Sequence, residues 1–275
     1  RMRGCFEGKT LDLNRFRKVM CYHHHHHHHH HHHRHHHRIG DYNQKQNHLH
    51  NCQIYIMIES QARAEICRVG ASLYMRGYVH ASAGNISIRL DDGNILITPT
   101  DACLGNLVPH ELALVNSNGE QINGSPASKT ALLHRSIYLA NTEASCVIHT
   151  HASHLVSLSI RGVWNEADIL PPITPYYVMK VGHIPFINYR RPGDPEVATM
   201  VVESINKAIK TAKPIRGVIL DRLGPVVWHQ SPSTASAVLE ELEETAKLWL
   251  MSNCQAAPLS NEQIEDLRST FGAIW

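Results

Sequence analysis

Ala144-Ser-Cys-Val-Ile-His149-Thr150-His151 is an apolar run that ends in two histidines one residue apart. Such a run, rich in β-branched and small apolar residues and followed by a helix-like stretch after Ala152, reads as a buried strand over 144–150. Along a strand, residues i and i+2 point to the same side. His149 and His151 are therefore expected to share one space, with Ile148 and Thr150 on the opposite face. Two neutral imidazoles converging in this way are ready ligands for a divalent ion, zinc first. The ordinary alternative is a pair of surface or hydrogen-bonded histidines, and a catalytic metal site needs a third protein ligand besides an open position.

Outward from that run, the pattern alternates between helices and hairpins. A helix is expected from Glu59 to about Gly77, with Ile66, Val69 and Leu73 on one face. Asn85–Leu90 and Ile95–Thr98 flank Asp91-Asp92-Gly93-Asn94, a hairpin signal, and Asn116-Ser-Asn-Gly119 is a second turn. Thr130 to Leu139 reads as helix. The stretch 183–188 reads as strand and runs into Arg191-Pro-Gly-Asp-Pro195, which starts another helix. Strands at 217–221 and 225–228 precede a long helix over 234–251, whose apolar face is Leu239, Leu242, Ala246 and Trp249. Elements in this order predict an α/β layered domain with a largely antiparallel central sheet flanked by helices.

The first 56 residues have a different character. Residues 23–37 are fourteen histidines broken only by Arg34, and no sustained apolar period precedes Met57. Imidazoles are too polar to form a core unpaired. We read 1–56 as a low-complexity His-rich tail, either a tag, an upstream extension or a disordered tail, with native metal storage the weaker alternative. The folded domain is placed at 57–275, with Met57 as its expected start. Twenty-six basic against 24 acidic residues give a net charge of +2, which predicts attraction to neither nucleic acid nor membrane. No secretory signal or bilayer-spanning apolar run is visible, and the seven cysteines form no CxxC pair. A cytoplasmic location is expected.

Three further stretches carry candidate chemistry. Ala83-Gly84-Asn85 sits at a strand start, where glycine permits close backbone approach to a phosphate or carboxylate. Pro126-Ala-Ser128-Lys129-Thr130 opens a helix with Ser128 as the expected N-cap, and free amides beside a lysine suit an anion. His134 shares a helix face with Thr130. Each stretch has a plainer reading: a turn, a capped helix, a hydrogen-bonded core histidine.

Taken together, Ala83-Gly84-Asn85-Ile86-Ser87, Ile97-Thr98-Pro99-Thr100, Ser128-Lys129 with His134, His149-Thr150-His151 and Gly224-Pro225-Val226 resemble the class II aldolase/adducin family over about residues 60–250. Ile173–Gly182, Arg191-Pro-Gly-Asp-Pro195 and Leu239–Lys247 are most similar to its 3-oxo-tetronate 4-phosphate decarboxylase branch. The resemblance implies a Zn2+-dependent carbon–carbon lyase acting on a small phosphorylated sugar acid or ketose, assembled as a homotetramer. It implies phosphate contacts at Asn85, Thr100, Ser128 and Lys129, and metal ligands at His149 and His151. Three positions depart from the family pattern. Thr130 stands at the acid/base glutamate, Leu223 at the third histidine ligand, and Asp101 at a phosphate-loop glycine. His134 and His154 are the candidates for a replacement third ligand. Decarboxylation breaks its bond without prior proton abstraction, so it tolerates Thr130 better than an aldol cleavage would. The competing readings are a non-catalytic adducin-like scaffold, a fuculose-phosphate-type aldolase, and a dehydratase or epimerase on the same scaffold.

Overall fold

The computed structural model describes residues 58–275; the reading of 1–56 lies outside them. Helix α1 (Glu59–Met75) leads to the hairpin β1 (Asn85–Arg89) and β2 (Ile95–Ile97), then β3 (Ala113–Val115) and β4 (Gln121–Asn123). Next come α2 (Ala131–Ala140), β5 (Cys146–His149), α3 (Ser153–Arg161), β6 (Phe186–Ile187), α4 (Glu196–Lys210), β7 (Gly217–Leu220), β8 (Gly224–His229), α5 (Pro232–Met251) and α6 (Asn261–Phe271). The eight strands form one sheet in the order β4-β3-β2-β1-β5-β8-β7-β6. Every pairing is antiparallel except β6 with β7, as the alternation of hairpins and helices predicted.

Side-chain alternation along β5 divides the interior in two. Cys146 and Ile148 enter a core built with Ile66 and Leu73 of α1, Leu155 of α3 and Leu239 and Leu242 of α5. Val147 enters a second core with Leu133 and Ile137 of α2 and Val197 and Val201 of α4. Helices therefore cover both faces of the sheet. His149 continues the Val147 side, so the end of β5 delivers it toward α2 and α4.

Several expectations are corrected. The predicted strand 183–188 contracts to Phe186–Ile187. Pro185 has no N–H to donate, and only its carbonyl joins the ladder, accepting from Ile219 N at 3.0 Å. Ser128 is not the cap of α2. The helix starts at Ala131 with Thr130 at the cap position, and Ser128 Oγ instead accepts a long bond from Thr130 N (3.3 Å). The π-helical turn Tyr177–Val181 and α6 were not anticipated. Helix α6 buries only Ile264 and Leu267, too thin an apolar stripe to show a period, although Ser260 and Gln263 form a capping box. Among the described residues no helix is long and apolar enough to cross a membrane.

Candidate active site

Asn85, Thr100, Ser128, Lys129, Thr130, His149 and His151 all line one cavity of about 290 Å³ at the mouth between α2 and α4. These residues come from four separate segments and meet there because three loops are stitched together. Thr100 N donates to Pro126 O at 2.8 Å and Ser128 N to Thr98 O at 3.1 Å, joining the two loops that carry Thr100 and Ser128. The third, at Asn85, is pressed against the end of β5. A Cβ on Gly84 (φ +82°) would lie 2.7 Å from the His149 carbonyl oxygen. On the other flank a Cβ on Gly224 (φ +112°) would lie 2.4 Å from the Thr150 carbonyl oxygen. Only glycine allows both approaches.

His149 is buried, and its Nδ1–H donates to the Pro225 carbonyl at 2.8 Å. That bond sets the tautomer and leaves Nε2 with an unshared lone pair. Its ring centre is 5.1 Å from that of His151, with the planes at 62°. A tetrahedral ion about 2.0–2.1 Å from each ligating nitrogen would separate two ring centres by about 5 Å, and this pair has that spacing, which is also that of an ordinary edge-to-face ring contact. Burial, then the neighbouring His151, lowers the His149 pKa to about 4, which keeps the imidazole neutral and ligand-competent. Burial, then His80, also lowers His151.

The candidates for a third ligand do not join this pair. Both ring nitrogens of fully buried His134 are engaged: Nε2–H donates to Asn85 Oδ1 at 2.5 Å, and Nδ1 lies 2.7 Å from Ser87 Oγ. His154 is turned to Glu243, with Nδ1 2.7 Å from Oε1, and lines no part of the cavity. Leu223 does line it, with no lone pair to offer. Among the described residues no three His, Cys, Asp or Glu side chains converge to hold a metal ion. The donor set is thus two nitrogens, compatible with a divalent ion but without a third protein donor.

His134 has a different use. A chain from Tyr138 Oη to Ser87 Oγ (2.8 Å) to His134 Nδ1 ends at Asn85 Oδ1. With its oxygen held, Asn85 presents its amide N–H groups to the cavity it lines. The neutral ring suits both bonds, and burial, then His149, lowers its pKa to about 3. Asp101 also has a structural explanation: its φ of +56° is in the left-handed region, natural for glycine and better tolerated by aspartate than by most residues.

Sequence reading missed one wall. Arg191, Pro192, Gly193, Asp194 and Pro195 all line the cavity, though the sequence marks the stretch as a helix start and a point of family resemblance, with no site role. Its Pro-Gly-Asp-Pro run signals a turn, and nothing local says what the turn faces.

Residues 64–250 match the family described as Class II Aldolase and Adducin N-terminal domain. The 3-oxo-tetronate 4-phosphate decarboxylase of Cupriavidus necator is 55% identical over 222 residues, covering 79% of this chain and 99% of that protein. The protein of the same name from Escherichia coli K12 is 37% identical over 216 residues, covering 78% and 99%. The crystal structure of YgbL from Escherichia coli superposes with a TM-score of 0.70 at 37% identity, covering 77% of this chain and all of that one.

Proposed function

The chain belongs to the class II aldolase and adducin family, and on that footing we propose that it is a carbon–carbon lyase that decarboxylates 3-oxo-tetronate 4-phosphate. The observation that carries the reading is the meeting of His149 and His151 with Asn85, Thr100, Ser128 and Lys129 in one cavity. Residues 57–275 are taken as the catalytic domain, and Zn2+ as the ion that His149 and His151 hold. When bound, a divalent ion supplies Lewis-acid stabilisation of negative charge developing on a substrate oxygen.

The rest of the chemistry falls to this chain's own groups. The Asn85 amide, the Thr100 and Ser128 hydroxyls and the Lys129 ammonium bind the phosphate and fix the substrate's orientation. In the substrate the C3 carbonyl is β to the C1 carboxylate. The C1–C2 bond breaks, its electron pair passes into the C2–C3–O enolate, and carbon dioxide leaves. One proton then adds at C2 to give a three-carbon keto phosphate. No base is required before the bond breaks, so Thr130, which cannot exchange protons near neutral pH, does not bar this step. An aldol cleavage of the fuculose-phosphate type needs a base to deprotonate a hydroxyl, and Thr130 stands where the resemblance puts that base.

The test is turnover of 3-oxo-tetronate 4-phosphate, followed by carbon dioxide release, together with bound metal per chain. Turnover abolished by His149→Ala is the expected result. A well-folded protein without turnover or metal would overturn the reading. Thr130 and Leu223 favour one alternative, a non-catalytic member that kept the fold, and that same negative result would support it.

A further inference from the structure

The cavity wall formed by Arg191–Pro195 carries a charge that the phosphate site and the histidine pair do not use. Two consecutive arginines, Arg190 and Arg191, stand where this wall begins, and the structure treats them differently. Arg190 is committed to α4: its Nε lies 2.8 Å from Glu196 Oε2 in an exposed ion pair. Arg191 lines the cavity and forms no ion pair among the described residues.

The loop is held in place independently of Arg191's side chain. Asp194 N donates to Arg191 O at 3.1 Å, closing the turn, and Asp194 Oδ1 accepts from Glu196 N at 3.0 Å at the start of α4. The wall also lies close to the phosphate side, since a Cβ on Gly193 would sit 3.8 Å from Lys129 Cβ. Lys129 and Arg191 therefore bring two cations to one cavity.

From this the geometry points to Arg191 as the residue that recognises the substrate's carboxylate, and so selects a phosphorylated sugar acid over a phosphorylated ketose or alditol. The inference rests on the function proposed above, which already assigns Asn85, Thr100, Ser128 and Lys129 to the phosphate. It leaves one anionic group of the substrate without a partner and one lining cation without a role. A guanidinium offers a planar pair of N–H donors that matches a carboxylate's two oxygens, a match a lysine ammonium lacks. The contact is strongest before reaction. As the C1–C2 bond breaks, charge leaves the carboxylate for the enolate, so Arg191 holds the ground state more tightly than the transition state. Its loss belongs in KM, with kcat unchanged or modestly raised.

The experiment compares two inert probes on the full chain by calorimetry, with the same divalent metal present. One is tetronate 4-phosphate, which has a C3 hydroxyl in place of the ketone. The other is the tetritol 4-phosphate of the same skeleton, with CH2OH in place of the carboxylate. Arg191→Met is expected to weaken the first by about 30-fold, the ordinary size for loss of a charge-assisted pair, and the second by less than about twofold. Arg191→Lys should recover part of the difference and shows that the loop still folds. In turnover, Arg191→Met should raise KM by a similar factor and leave kcat within about threefold. Equal weakening of both probes would assign Arg191 to the phosphate and overturn the inference, as would no change in either. Discrimination between the probes without turnover in the unsubstituted protein would sink the proposed reaction and leave Arg191's role standing. Turnover with no loss of discrimination in Arg191→Met would do the reverse.

Discussion

His134 and His149 are the same residue type at nearly the same depth, 0% and 5% exposed, and burial lowers both pKa values, to about 3 and about 4. Their uses differ because of one lone pair. His134 spends both nitrogens inside the protein, on Asn85 and Ser87. His149 spends one, on Pro225, and keeps Nε2 without a hydrogen-bond partner among the described residues, its ring centre 5.1 Å from that of His151. Burial and pKa alone would rank the two rings together. The hydrogen-bond count separates a positioning residue from a candidate ligand.

The sharpest way to break that contrast is to truncate each ring. His149→Ala should reduce turnover by about 10³-fold or more and abolish bound metal, while lowering stability by only about 1 kcal/mol. His134→Ala should do the opposite, retaining metal but costing about 3 kcal/mol, because Asn85 and Ser87 are left without partners in a dry interior. Metal analysis and urea unfolding of the two variants check both. If His134→Ala loses metal as fully as His149→Ala, the distinction fails.

Acid probes the shared part of the comparison. Both rings are neutral in the fold but take up a proton at the ordinary value of 6.5 when unfolded. The unfolded chain then binds more protons, so the stability these rings contribute is complete above pH 6.5. It is lost as pH falls toward 3–4. Each ring adds at most about 1.4 kcal/mol per pH unit in that window. Urea midpoints of the metal-free protein between pH 7 and 5 should fall with acid, and more gently in His134→Gln. The smallest change sharpens the ligand side. Leu223→His supplies a third lone pair to the cavity, and should tighten metal binding by about tenfold or more in a competition with a chelator.

The fold was largely legible because its signals are local. The Asp-Gly turn at 92–93, the apolar stripe of α1 and the long face of α5 each announce themselves within a dozen residues. Helix α6 was missed because its two buried residues make no stripe. The strand at 183–188 was overextended because Pro185's missing N–H outweighs the apolar character around it. At the site, chain order and the resemblance brought the phosphate and histidine positions into view, but gave no site role to the wall at Arg191–Pro195. That stretch is an ordinary turn by composition, and its meaning lies in what it faces.

The chain's own order determined that His149 and His151 stand two residues apart, but β5 ends at His149, so the pleat directs only the first ring and the loop beyond it brings the second to the same cavity. It equally determined that Thr130 and Leu223 are chemically unable to titrate near neutrality or to ligate. Only the tertiary structure decided which nitrogens stay free. The partner that takes His149's other nitrogen is 76 residues away at Pro225, and the one that occupies His134 is 49 away at Asn85. Hydrogen bonds across such distances depend on how the sheet pairs and the loops close, and no local spacing encodes them.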